Sequence, residues 1–447
     1  MLRSPGDREI ARLAVPALGA LAAEPLYLLA DTAIVGHLGT RELAALAIAA
    51  TVLSTLVSLC IFLTYGTTAQ VARLHGAGDG DRAGQLAAQS LWLALGLGAL
   101  LALGCALLAQ PLVALLGGRG ETAALAARYL RISAIGLPAA LVALAGQGYL
   151  RGIADLRTPL LVVVAAQAAN VVLELWFVYG LGWGLDGSAA GTVVAQAGMG
   201  AVFARLLLAT RTSSRRPRRA LLTPLLRISR ELFVRSAALL LAFATASAVI
   251  ARIGVTSLGA HQIAMGLFIF TALVLDAIAI AAQVLVGRAL GSGDAAGARA
   301  MALRTIGWSL VAGGLFAALL LALSGPLPHA FTSDPAVVER AHAIWPMLAL
   351  MQPLAAVVFA LDGVLIGAGD TRYLAGSMLL GGVGVYVPVA LLALALDWGI
   401  TGVWSGLLAF MGVRLLTLGR RFAGGRWAIM GPGVDRSPGR ASPARSP

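Results

Sequence analysis

Long apolar runs separated by short polar breaks make up most of the chain, and Leu91–Leu108 and Val234–Ile250 are nearly uninterrupted. A helix needs about 20 apolar residues to cross the hydrocarbon of a bilayer. A barrel strand would instead alternate apolar and polar positions, which these runs do not. Twelve helical spans are predicted, near 12–36, 43–68, 85–108, 123–150, 159–181, 187–210, 232–253, 258–287, 305–325, 341–367, 373–396 and 400–418. The first run lacks a small-residue cleavage site and leads into a full span, so no cleaved leader is expected.

Composition agrees with the pattern. Of 447 residues, 59% are apolar and 12% charged, whereas a soluble domain is about one quarter charged. The net charge of +13 raises nucleic acid as a partner, but its placement argues for membrane topology. With the N-terminus in the cytoplasm, six of the 33 basic residues (Arg41, Arg119, Arg128, Arg131, Arg252 and Arg340) fall on the far face, leaving 27 on the near one. That bias is expected of an inserted bundle and suits anionic lipid headgroups. Both termini are therefore expected in the cytoplasm, with no nucleic acid bound. Cys60 and Cys105 lie inside apolar runs and read as small buried hydrophobes.

The chain is written twice. Sliding it against itself by 215 residues puts Gly39 on Gly254, Arg73 on Arg288, Gly78-Asp79 on Gly293-Asp294, Pro138 on Pro353 and Gly152 on Gly367. The same offset puts Asp155 on Asp370, Arg157 on Arg372, Trp183 on Trp398, and Gly184, Gly187 and Gly191 on Gly399, Gly402 and Gly406. An even number of spans per half gives both halves one orientation, hence a pseudo-two-fold axis normal to the membrane. The predicted fold is an all-α polytopic membrane protein of twelve transmembrane helices in two six-helix lobes. Residues 1–210 form the N-lobe and 232–420 the C-lobe. Residues 211–231 are a basic linker with an amphipathic helix from Ala220 to Leu232 on the membrane surface. Residues 421–447, rich in Pro, Ser, Gly and Arg past Met430, are expected to be a disordered cytoplasmic tail.

Ionisable residues inside spans are expensive in lipid, at about 2.5–3.5 kcal/mol each on insertion scales, and so are functional candidates. Five carboxylates qualify: Glu24 and Asp31 in span 1, Glu174 in span 5, Asp276 in span 8 and Asp362 in span 10. None has an obvious deep arginine partner, and such a group can take up and release a proton. Glu24 and Asp31 are seven apart and share a helix face, with Pro25 between them able to kink the helix. Gln167, Asn170 and Glu174 form one polar stripe on span 5, and Thr192 and Gln196 another on span 6. These oxygens suit a proton or a hard cation such as Na⁺. In the C-lobe, Asp276 and Gln283 share a face. The acids themselves are not repeated: Asp31 aligns with Ala246, Asn170 with Val385, Glu174 with Val389, Asp276 with Ile61 and Asp362 with Gln147. His261 reads as an interfacial residue with its hydrogen bonds satisfied. No Walker A loop, HExxH, GxSxG or Cys/His cluster is present. The chain is therefore not expected to be an enzyme or an ATP-driven pump, or to need a cofactor beyond a coupling ion.

At these residues the chain resembles the multidrug and toxic compound extrusion (MATE) transporters, within them the bacterial branch named for DNA-damage-inducible protein F. The resemblance covers most of residues 10–420. It rests on Glu24–Gly39 (EPLYLLADTAIVGHLG), Gly76–Asp79 (GAGD), Arg151–Pro159 (RGIADLRTP), Gly259–Ile263 (GAHQI) and Leu361–Arg372 (LDGVLIGAGDTR). It implies two lobes that alternate between inward- and outward-open V shapes. It also implies exchange of H⁺ or Na⁺ for drug-like, often cationic compounds across the bacterial inner membrane, by a chain expected to be monomeric. The family's ion-coupling residues fall on Asp31, Asn170 and Glu174, with Thr192 in support and Na⁺ possible at all four. Many relatives carry aspartate where this chain has Glu174. Substrate is expected near Tyr27. The rival readings are a lipid-linked oligosaccharide flippase, which would want arginines in the cleft, and a non-transporting scaffold. A scaffold should depend on its tail, whereas a transporter should tolerate the tail's deletion.

Overall fold

A computed structural model of the chain describes residues 5–431, and helices are its only regular elements there. Eleven of them are long and apolar enough to cross a membrane. In chain order they are span 1 (Pro5–Gly36), span 2 (Thr40–Gly76), span 3 (Gly80–Leu115), span 5 (Arg157–Gly180), span 6 (Gly184–Leu208) and span 7 (Arg219–Ile253). Span 8 (Val255–Gly291), span 9 (Ala295–Ala322), span 10 (Pro335–Gly367), span 11 (Thr371–Ala395) and span 12 (Gly399–Ala423) complete the set. Span 4 is a bent pair, Gly120–Ala134 and Leu137–Gly152, meeting at 51°. The bend falls where Gly136 and Pro138 stand together, and proline cannot donate to the preceding turn. Its repeat mate, span 10, has Met351 in place of Gly136 and passes through Pro353 unbroken.

The repeat seen in sequence is also a repeat of contacts. Asp79 caps span 3 by accepting from Arg82 N at 3.1 Å, and Asp294 caps span 9 by accepting from Gly297 N at 2.7 Å. Each cap satisfies a main-chain donor that the first turn leaves open. Gly98 faces Pro138 and the Leu137 carbonyl, just as Gly313 faces Pro353 and the Gln352 carbonyl. Gly148 presses on the Thr64 carbonyl and Gly363 on that of Ala279. Lipid offers no hydrophobic drive for helices to associate, so small residues that let backbones touch supply the packing.

The lobes meet on the pseudo-two-fold axis. A Cβ on Gly76 would collide with the Arg288 main chain, and one on Gly291 with the Arg73 main chain. Spans 2 and 8 therefore cross backbone to backbone. Beside this crossing, Ile10, Leu13 and Ala17 of span 1 pack on Ala277, Ala281 and Leu285 of span 8. Glu9 pairs with Arg288 and Asp7 with Arg304. These contacts lie at the end of the bundle that carries the linker. At the other end Val35, Leu46, Val113, Leu130 and Leu185 form a cluster within the N-lobe alone. Outward faces keep leucines exposed, including Leu107, Leu161, Leu315 and Leu416.

Two expectations about the connecting segments change. The helix expected at Ala220–Leu232 is the first part of span 7, continuous through Pro224 to Ile253. Its apolar side is buried in protein: Leu225 packs with Val71, Ala83 and Leu86, and Ile228 lies against Gly66. The linker ahead of it is pinned to span 3, where Asp81 accepts from Ser213 N and Gln89 accepts from Arg218 N at 3.1 Å. The tail expected to be disordered from residue 421 is ordered through Gly431, with Trp427 buried; residues 432–447 lie outside the described residues.

Because overpacking costs about 1–3 kcal/mol, Gly76→Ala and Gly291→Ala should each lower the thermal midpoint of the purified protein. Gly104→Ala, which meets nothing within 4 Å, should not. Equal midpoints for all three, followed by intrinsic fluorescence, would show that spans 2 and 8 do not cross so closely.

Candidate functional site

Asp31 lies on the buried side of span 1, 4% exposed, and accepts from the Ser188 hydroxyl of span 6 at 2.9 Å. Glu174, on span 5, is fully buried. Its Oε1 accepts from the Tyr27 hydroxyl and, at 3.1 Å, from the Thr192 hydroxyl. The Tyr27 and Thr192 hydroxyl oxygens stand 3.0 Å apart. Asp31 and Glu174 stand close enough to interact directly. Three helices thus bring two carboxyls and three hydroxyls to one point inside the N-lobe.

Local structure explains the fit. Gly191 of span 6 lies flat against the Glu174 main chain, so that Thr192 reaches the carboxyl. The tyrosine four residues before Asp31 lies one turn back on the same face. Immediately after Glu174 the helix widens into a π turn over Trp176–Gly180, and Tyr179 donates to the Ile34 carbonyl of span 1 at 2.7 Å. Such π turns often mark functional positions.

Two oxygens in this cluster stay open. Asn170 Oδ1 and Glu174 Oε2 are buried and have no hydrogen-bond partner among the described residues. An unsatisfied buried acceptor costs about 1–3 kcal/mol, a cost that a hydrogen-bond donor or a cation would relieve at either oxygen. Among the described residues no group of three or more His, Cys, Asp or Glu could hold a metal ion. Any cation here would rest on carboxyl, amide and hydroxyl oxygens.

The other sequence candidates separate. Glu24 does not join Asp31: it is exposed while Asp31 is buried, and it bonds nothing described. Gln167 is half-buried without a hydrogen bond, and Gln196 turns to Gly136 at the bend of span 4. Ser188 escaped the sequence reading, as did Tyr129 of span 4, which stands beside Ser188. Ser188 was the more legible of the two, four residues before Thr192 on the same helix face.

The C-lobe acids depart furthest from expectation. Asp362 does have deep cationic partners: it accepts from Arg235 of span 7 at 2.7 Å and from Arg414 of span 12 at 2.5 Å. All three side chains are largely buried. Both arginines lie near the linker ends of their helices, where the sequence reading counted them as flanking charge. Asp276 accepts from the Tyr65 hydroxyl of the N-lobe at 3.2 Å, and Gln283 donates to the Tyr65 carbonyl at 2.8 Å. Their shared face is thus turned to the other lobe. His261 is buried, edge-on to Trp404, and its Nδ1 lacks a hydrogen bond. Among the described residues its hydrogen bonds are therefore not all satisfied.

The MatE family model matches the chain twice, over residues 16–176 and 232–392, one match in each lobe. The chain is 32% identical over 429 residues to the protein DETOXIFICATION 44, chloroplastic, of Arabidopsis thaliana, covering 91% of this chain and 80% of that one. It is 30% identical over 441 residues to DNA damage-inducible protein F of Escherichia coli, covering 94% of each. Among solved structures, a MOP superfamily transporter from Pyrococcus furiosus superposes with a TM-score of 0.85 at 22% identity, over 96% of this chain and 97% of that one. That likeness shows the fold.

The two kinds of acid should respond differently to neutralisation. Asp362→Asn leaves two buried guanidinium groups without counter-charge, a loss of about 3–5 kcal/mol, and should cut the yield of folded protein in gel filtration. Asp31→Asn should fold at the parental yield.

Proposed function

Since the chain belongs to the MatE family of multidrug efflux transporters, we propose that it is a secondary antiporter exchanging H⁺ for organic, often cationic, small molecules. It would act in the bacterial cytoplasmic membrane with both termini inside, as the arginine bias suggests. The observation that carries this reading is the pairing of Asp31 with Glu174 beside two buried oxygens that have no donor.

Two carboxylates side by side in a low dielectric repel each other, and one proton or cation between them removes that repulsion. A proton on Glu174 Oε2 also turns an orphaned acceptor into a donor. The same negative charge attracts a cationic cargo in the cleft, so proton and cargo compete electrostatically without sharing atoms. Loss of charge at Asp31 would loosen its bond to Ser188 of span 6 and so release span 1, and Pro25 gives that helix a place to bend. The lobes then part at one end of the bundle as they close at the other.

Na⁺ is the second reading, supported by the oxygens of Asp31, Asn170, Glu174 and Thr192. The hydroxyls of Ser188, Tyr27 and Thr192 already occupy carboxyl oxygens that a cation would need, which leaves less room for Na⁺ than for a proton. A lipid-linked oligosaccharide flippase would need arginines available in the cleft, and Arg235 and Arg414 are engaged by Asp362. The scaffold reading is the weakest in a family of transporters. Its test needs changing, because a stop before Gly431 would remove ordered structure that a transporter also uses.

Right-side-out membrane vesicles loaded with a fluorescent cationic dye test the proposal. Efflux should follow an imposed pH gradient, should not need Na⁺, and should fall at least about tenfold in Asp31→Asn. Undiminished proton-driven efflux by that variant would overturn the scheme, and dependence on Na⁺ alone would favour the second reading.

A further inference from the structure

Past span 12 the chain turns back over the linker end of the bundle. Trp427 is 1% exposed and stacks on Phe422 with ring centroids 5.2 Å apart. Gly431 N donates to the Leu290 carbonyl, at the end of span 8, at 3.0 Å. Both contacts fasten the segment to the C-lobe.

Among the described residues, its hydrogen bonds to the N-lobe come from one side chain. Arg73, near the end of span 2, is fully buried. Its guanidinium donates to the carbonyls of Ile429 at 2.7 Å, Gly431 at 2.8 and 3.2 Å, and Ala368 of the C-lobe at 2.9 Å. All three acceptors are main-chain carbonyls, and all belong to the second half of the chain. The repeat mate, Arg288, is placed differently, since it pairs with the Glu9 carboxylate of span 1. Separating the lobes at this end would strip Arg73 of the acceptors that make its burial tolerable, and a buried charge without partners is strongly unfavourable.

We propose that Gly424–Gly431 is a latch that holds the lobes shut at the linker end, gripped through Arg73, so that its release is a step in the alternation of access. The latch contributes to one conformation and not to the other, so it sets their ratio. The inference rests on the rocking of the lobes but not on which ion drives it.

The test reads the distance between lobes directly. Spin labels are attached through Ala77→Cys and Ser292→Cys, in a chain carrying Cys60→Ala and Cys105→Ala, and pulsed electron resonance is recorded in nanodiscs without substrate or gradient. The full-length chain should give one short distance. A stop after Ala423, and separately Arg73→Met, should each raise the long-distance population about tenfold. A stop after Ser437, beyond the latch, should leave it unchanged. Circular dichroism reports folding, and if the truncated chain fails to fold, Arg73→Met carries the test alone. Unchanged distances in the folded variants would overturn the latch, whatever the dye assay shows about coupling.

Discussion

Backbone-to-backbone contact between spans 2 and 8 is the constraint on which the rest of this molecule depends. In water, two six-helix lobes could be joined by burying leucines between them; in lipid that drive is missing. The chain instead places Gly76 and Gly291 where each helix must touch the main chain of the other. The contact is narrow, lies on the symmetry axis and sits at one end. It holds the lobes together at that end, and Tyr65, Asp276 and Gln283 add polar contacts between the lobes nearby.

On either side of that crossing the two lobes have diverged in chemistry. Where span 5 carries Gln167 and Asn170 on a regular helix, span 11 has a glycine-rich π segment, Leu379–Tyr386. Where Gly191 lets Thr192 approach Glu174, Gly406 packs on Val389 and Tyr386. The N-lobe acids meet hydroxyls, whereas Asp362 in the C-lobe meets two arginines, which hold it in place. One scaffold therefore carries a carboxyl–hydroxyl cluster on one side and a carboxylate–arginine cluster on the other.

Much of this was legible in sequence because the informative features are local or repeated. Hydrophobic runs mark the spans, and a single offset reveals the doubling through glycines, prolines and caps. The grouping of Asp31, Asn170, Glu174 and Thr192 on spans 1, 5 and 6 could be drawn from the resemblance. What escaped depends on angles between helices. Glu24 and Asp31 share a face by count, yet the helix passes from accessible to buried surface between them. Arg235 and Arg414 looked like flanking charge because nothing in hydropathy tells which helix end lies over another helix. The Ala154 turn shows the same limit: its φ of 63° is left-handed, and only its repeat mate, Gly369 at 71°, hints at the shape.

The placement of Arg73 also bears on how the protein is made. Its acceptors lie 295, 356 and 358 residues further along the chain. During synthesis the arginine enters the membrane region long before any of them exists, and it must wait in contact with water or lipid headgroups. It can be buried only after span 10 is in place and residues 429–431 have folded back. A segment made long after Arg73 thus completes the seam between the lobes, and a product cut short before that segment keeps an exposed cation as the mark of an unfinished molecule.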